Sequence, residues 1–281
     1  MKTFFVRFFF YAGVLFLLLL SDWGTALAAN HSAAEEPDAQ PAVDASDERE
    51  KPPVEVEEVV RRLEELYRAD SSIARVKLKI IRPNRERTLD MKIWTRGDEK
   101  ALVLIQAPPR EKGIATLKVG DNLWNYLPRI DRTIRIPPSM MLASWMGSDF
   151  TNDDLVQESN LAEDYTPSII GPSDEPGHWD VRLSVKPGVV GLWERIEFTV
   201  TVAPILPVLA EYYDRKGRLA RIMHFDQVRN FDERRIPSRI SLIPRDEEKR
   251  GHKTLMIYED ISFNVEVPKQ IFSLSNLEQK R

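Results

Sequence analysis

Alternation of apolar and polar residues with a period of two constrains this chain more than any other feature. Ala74, Val76, Leu78 and Ile80 alternate with Arg75, Lys77 and Lys79; Val181, Leu183 and Val185 alternate with Arg182, Ser184 and Lys186. Ile196, Phe198, Val200 and Val202 alternate in the same way with Glu197, Thr199 and Thr201. Each run reads as a strand with one apolar and one wetted face. Arg96-Gly97-Asp98, Gly120-Asp121-Asn122 and Asp214-Arg215-Lys216-Gly217 have the composition of hairpin loops. About eleven strands can be counted this way between Ile73 and Ile261. Nearly all the connections are too short for a crossover helix, so the strands pair antiparallel. An antiparallel sheet of that size must curl, and the space it encloses is either packed with side chains or left for a ligand.

Two segments depart from this period. Val54 to Arg68 places Val56, Val59, Val60, Leu63, Leu66 and Tyr67 at helical spacing, with Glu55, Glu57 and Glu58 in the first turn, where they complement the helix dipole. Later, Pro137-Pro138-Ser139 leads into Met140 to Met146, and Leu142, Met146 and Phe150 fall at i, i+4 and i+8. Gly147 then interrupts, and Thr151-Asn152-Asp153-Asp154 has the pattern of an N-cap with an acidic first turn. The expectation is a helix–glycine–helix insertion between strands. Its methionines can repack around differing apolar shapes, as at adaptable binding surfaces, or can simply plug one end of the barrel.

The N-terminus is an address. Lys2 and Arg7 precede a continuous apolar run from Phe8 to Leu20, and Ala26-Leu27-Ala28 supplies a small-x-small cleavage pattern. A helix of that length spans about 20 Å, short of the roughly 30 Å of hydrocarbon in a bilayer, so a cleaved signal peptide over residues 1–28 is expected rather than a retained anchor. Residues 29–53 read as a disordered acidic tether, with seven acidic against two basic side chains. With Lys2, Arg7 and Asp22 also set aside, residues 54–281 carry 36 basic and 36 acidic side chains, so the folded body is neutral. That balance speaks against a nucleic-acid partner. The chain has no cysteine, which excludes disulfides, thiolate metal sites and a thiol nucleophile.

The run from Glu111 to Pro128, containing Lys118-Val119-Gly120-Asp121-Asn122-Leu123-Trp124-Asn125-Tyr126-Leu127-Pro128, is followed by Arg135-Ile136-Pro137-Pro138-Ser139 and by Met146-Gly147-Ser148-Asp149-Phe150-Thr151-Asn152-Asp153-Asp154-Leu155. This succession resembles the outer-membrane lipoprotein-sorting protein family, a branch of the LolA/LolB-like superfamily. The match is close from about Leu89 to Leu161 and follows general strand layout elsewhere. The resemblance implies a mainly β (α+β) fold, an open, incompletely closed antiparallel β-barrel capped by helices. It implies a periplasmic carrier of the acyl chains of a lipid or lipoprotein, working between an inner-membrane exporter of the RND/MMPL type and an outer-membrane acceptor.

On that reading Met140, Met141, Leu142, Trp145, Met146 and Phe150 form a lid with Gly147 as its bend. Trp94, Trp124 and Tyr126 are candidates for the cavity wall, with core packing as the alternative. Arg110, Lys112, Arg129, Arg132 and Arg135 are candidates for contacting an anionic head group, or are solvated surface charge. No catalytic residue, cofactor or metal is expected. His178, His224 and His252 occur singly, no HExxH or GxSxG pattern is present, and Asp149, Asp153 and Asp154 read as helix-capping acids before cation ligands. Two other functions fit the same sequence: an accessory scaffold of an envelope transporter with a filled barrel, and a lipid-acting hydrolase.

Overall fold

The structure, a computed structural model, describes residues 52–156, 161–189 and 193–279. Residues 1–51, which hold the expected signal peptide and most of the acidic tether, lie outside them. Helix α1 (Val56–Glu65) leads into six strands: β1 (Ser71–Arg82), β2 (Arg85–Arg96), β3 (Lys100–Ala107), β4 (Ala115–Val119), β5 (Asn122–Leu127) and β6 (Arg132–Arg135). A non-strand segment carries the short helices α2 (Asn152–Val156) and α3 (Leu161–Asp164). Seven further strands follow: β7 (Tyr165–Pro172), β8 (His178–Val185), β9 (Arg195–Val202), β10 (Ile205–Tyr213), β11 (Leu219–Phe231), β12 (Arg234–Pro244) and β13 (Lys253–Phe263). Helix α4 (Leu274–Gln279) ends the described chain.

All thirteen strands form one antiparallel sheet in the order β6-β5-β4-β3-β2-β1-β13-β12-β11-β10-β9-β8-β7. It consists of two meanders zipped together where β1 pairs with β13, from Ser72 opposite Phe263 to Ile81 opposite Lys253. The outer strands β6 and β7 do not pair, so the sheet is open. There are thirteen strands rather than about eleven. Alternation is faint in some of them: no residue of β6 is buried, and the register of β7 shifts between Ile169 and Gly171.

Burial follows the period of two. Ala74, Val76, Leu78 and Ile80 of β1 are buried, as are Val181 and Leu183 of β8 and Ile196, Phe198 and Val200 of β9. These residues share one core with Val59 and Val60, the two buried positions of α1. A second core occupies the other face of the β1–β5 half, where Leu102, Ala115, Leu117 and Tyr126 pack against Val267, Phe272 and Leu277 of the C-terminal segment. Adjacent residues divide between the two, Val103 entering the first and Leu102 the second. Each fully buried Leu, Ile or Val contributes roughly 1.5–3 kcal/mol, so both faces of this half are stabilised.

The insertion between β6 and β7 is not a pair of helices joined at Gly147. Pro138–Met140 and Trp145–Gly147 are single 3-10 turns, and α2 begins only at Asn152. The backbone instead folds back on itself. Trp145 N–H donates to the Phe150 carbonyl (2.8 Å), Asn152 N–H to Ala143 (3.0 Å) and Asp153 N–H to Met141 (2.8 Å). Met146 and Gly147 adopt φ of +53° and +71°, left-handed conformations that an α-helix cannot contain. The i, i+4, i+8 spacing of Leu142, Met146 and Phe150 therefore does not put them on one helical face.

Candidate functional site

The curled sheet surrounds a cavity of about 390 Å³. Its wall draws on β1, β2 and β3 (Ala74, Ile93, Val103), on β9 to β13 (Phe198, Tyr212, Met223, Ile240, Met256) and on the end of α1 (Leu63, Leu66). Phe150, Leu155 and Leu161 reach it from the insertion. Strand alternation explains the lining: on β1 and β2 the facing residues Ala74 and Ile93 line the cavity, whereas the next pair, Ile73 and Trp94, belongs to the second core. Among the described residues the ionisable side chains of the wall, tyrosines aside, are Arg221 and the carboxylates of Asp153, Asp154 and Asp164.

Arg221, on β11, is the buried polar centre of this wall. Its Nη1 and Nη2 donate to Asp154 Oδ2 and Oδ1, both at 2.8 Å, a bidentate pair between side chains only 8% and 14% exposed. The guanidinium also lies over the rings of Tyr212 (4.3 Å) and Trp193 (4.5 Å). Its Nε is buried and has no hydrogen-bond partner among the described residues. Burial alone pushes the Asp154 carboxyl up. The Arg221 charge and its hydrogen bonds, with those from the Thr151 backbone N–H and hydroxyl, outweigh it and hold the group below the ordinary aspartate value. Asp153, which lacks such a clasp, is raised by burial and by Asp154. Burial, with Tyr212 and Asp164 nearby, pushes the Tyr165 phenol up to about 12.

A second clamp holds the insertion at Asp149. Arg82 of β1 donates from Nη1 to Asp149 Oδ2 (3.0 Å) and from Nη2 to the Gly147 carbonyl (2.8 Å). Thr254 of β13 donates its hydroxyl to the same carboxylate (2.6 Å) and accepts from the Asp149 N–H (3.0 Å). Arg87 Nη2 donates to the Met146 carbonyl. His252 Nδ1 lies 3.8 Å from Asp149 Oδ1. Thr254 is fully buried and bonded to the aspartate rather than to His252, so these three residues do not constitute an activated nucleophile. Among the described residues no group of three His, Asp or Glu side chains is placed to hold a metal ion.

The Met146-to-Asp154 motif thus acquires a physical reading. Met146 and Gly147 make the left-handed turn, and the Ser148 hydroxyl donates to the Trp145 carbonyl (2.7 Å). Asp149 ties the motif to β1 and β13, Asp154 ties it to β11, and Phe150 between them lines the cavity. The other residues expected in a lid are dispersed. Trp145 is buried in the first core and donates its indole N–H to Thr116 (3.1 Å). Met146 packs half-buried against the same core, Met141 is half-buried, and Met140 and Leu142 are exposed. Trp94, Trp124 and Tyr126 lie in or against the second core and do not line the cavity. Nor do Arg110, Lys112, Arg129, Arg132 or Arg135, which are exposed in the β3–β4 and β5–β6 region. Sequence reasoning missed Arg221, whose partner is 67 residues away in the chain.

The profile of a family described as "Uncharacterized protein" matches residues 97–279. The chain belongs to this family, and its fold is that of the LolA superfamily. A LolA superfamily protein from Nitrosomonas europaea is 22% identical, with a TM-score of 0.66 over 79% of this chain and 99% of its own. A domain from Vibrio parahaemolyticus described as an outer membrane lipoprotein-sorting protein is 21% identical, with a TM-score of 0.67 over 79% and 97%. A DUF1329 family protein from Desulfovibrio piger is also 21% identical, with a TM-score of 0.70 over 78% and 96%. No curated protein matches this chain. All three structures share the fold of this chain.

Proposed function

We propose that this protein carries acyl chains of a lipid or lipoprotein through the periplasm, bound in the cavity enclosed by the sheet. The observation that carries this reading is the cavity wall, apolar on most of its surface and furnished by strands from both meanders. Its volume of about 390 Å³ lies within the roughly 300–1,000 Å³ usual for ligand sites. A sixteen-carbon chain exposed to water is destabilised by about 12 kcal/mol relative to an apolar surrounding, and a carrier must replace that surrounding. Among the described residues the wall's one basic side chain is already neutralised by Asp154, and Asp153 and Asp164 add negative charge. The cavity therefore suits the chain of the cargo, and an anionic head group remains outside it.

On this account residues 1–28 are a signal peptide cleaved on export, residues 29–53 are a tether, and residues 54–281 are the carrier body. An inner-membrane exporter of the RND/MMPL type and an outer-membrane acceptor are the expected partners, and no catalysis is involved. A transporter scaffold with a filled interior is less well supported, because the wall leaves a cavity. The test is uptake of a fluorescent long-chain fatty acid by the purified protein. Phe150→Asp puts a carboxylate into the wall and should abolish uptake while circular dichroism stays unchanged. A folded variant that binds as well as the parent would refute the placement of the cargo.

A further inference from the structure

Seven large hydrophobic residues are markedly exposed among the described residues, and four of them fall between positions 130 and 142. Ile130 is 57% exposed, Ile134 44%, Met140 49% and Leu142 57%. Isolated exposed apolar residues are ordinary on protein surfaces; a run of them marks a contact surface. This run is interleaved with cations, since Arg129, Arg132 and Arg135 are exposed and Asp131 is the only acid between 129 and 142. The Asp131 carboxylate accepts the Tyr126 phenol proton (2.9 Å), which draws it toward the sheet.

The backbone beneath these side chains is fixed. Ile134 and Arg132 share a face of β6, opposite Asn125 and Leu127 of β5, while Ile136 N–H donates to the Leu123 carbonyl (2.8 Å). The Met140 carbonyl accepts from the buried Asn152 side chain (3.0 Å), and that of Met141 from the Asp153 N–H (2.8 Å). Four apolar side chains are thus held out to solvent at a sheet edge with arginines among them, and nothing in the cavity requires them to be there.

We infer that the β5–β6 turn, β6 and the 136–142 segment form a membrane-docking surface that takes a bilayer bearing anionic phospholipid head groups. Arg129 and Arg132 meet the phosphates, and Ile130, Ile134, Met140 and Leu142 enter the boundary between head groups and acyl chains; Arg135, opposite Trp124 on the other face of β6 and bonded to Asn122, is not part of the surface. Charge complementarity favours this occupant over a neutral protein groove: two guanidiniums spaced among aliphatic side chains match an anionic interface. The surface is separate from the cavity and does not depend on what the cavity holds.

Because the chain has no cysteine, single replacements can carry an environment-sensitive dye. Ile130→Cys and Leu142→Cys would be labelled in the exported protein and mixed with vesicles of phosphatidylglycerol and phosphatidylethanolamine. Ile170→Cys and Val228→Cys, also on exposed apolar positions, serve as controls. Docking predicts a blue shift and brightening at positions 130 and 142 alone, suppressed by salt and weak on phosphatidylcholine vesicles. Each arginine near an anionic surface strengthens partitioning about fivefold, so Arg129→Gln combined with Arg132→Gln should weaken it about 30-fold. Silence at positions 130 and 142, or an equal response at all four positions, would overturn the inference; silence at all four would direct the patch to a protein partner. Phe150→Asp should leave the dye response intact even if it abolishes acyl uptake, which separates this surface from the carrier reading.

Discussion

Arg221→Met is the perturbation on which the architecture of the site makes its sharpest demand. In the parent, Asp154 is almost wholly enclosed and satisfied by two 2.8 Å bonds from Arg221 together with the Thr151 backbone and hydroxyl. Methionine keeps much of the volume of the arginine stem between Trp193 and Tyr212 but removes the charge, leaving a buried carboxylate without its counter-ion. Breaking a buried pair on one side destabilises by about 3–5 kcal/mol. For a domain of this size that lowers Tm by roughly 6–20 °C. The pH dependence should change sign as well. Asp154 is held below its ordinary value, so its contribution is fully present above the unfolded aspartate pKa and is lost as pH falls through the folded one. Without Arg221, burial dominates and raises the carboxyl, so the variant should gain stability relative to the parent on mild acidification. Urea denaturation at several pH values reads both effects. Arg221→Met combined with Asp154→Leu should recover most of the loss, since two apolar partners remove the uncompensated charge. A single variant that loses less than about 1 kcal/mol, or a double variant no better than the single, would refute the reasoning.

Trp145→Ala should destabilise by about 3–5 kcal/mol in urea denaturation, because the side chain is only 2% exposed and anchors the insertion, whereas Trp145→Phe should lose chiefly the indole bond to Thr116, about 1 kcal/mol. Tyr165 is raised to about 12 by burial, and Tyr212 is raised for the same first reason. The contribution of Tyr165 is therefore intact below the ordinary tyrosine value and is lost as pH climbs from there through about 12; thermal melts across that range should show the decline, and Tyr165→Phe should flatten it.

The strands were legible because alternation and burial answer to the same geometry: Ala74, Val76, Leu78 and Ile80 are apolar in sequence and buried in the sheet. The hairpin at Asp214 was legible for a local reason, since its Oδ1 accepts the N–H groups of Lys216 and Arg218. The insertion was not. Leu142, Met146 and Phe150 matched a helical period across Ser144 and Gly147, but the backbone bonds run between Trp145 and Phe150 and between Ala143 and Asn152, and no periodicity encodes such a fold-back. Alternation also cannot tell a hollow face from a filled one. Trp94, Trp124 and Tyr126 point to the side that the C-terminal segment covers, a contact made with residues more than a hundred positions further on. Arg221 escaped for a related reason. It sits in β11, and only the folded chain brings Asp154, Trp193 and Tyr212 around it.

The carrier account is tested most directly by native mass spectrometry of the protein recovered from the periplasm without detergent. The account predicts a stoichiometric adduct that extraction resolves into a long-chain lipid, reduced or absent in Phe150→Asp. A clean apo mass, in a protein that also fails to take up a fluorescent fatty acid, would contradict it.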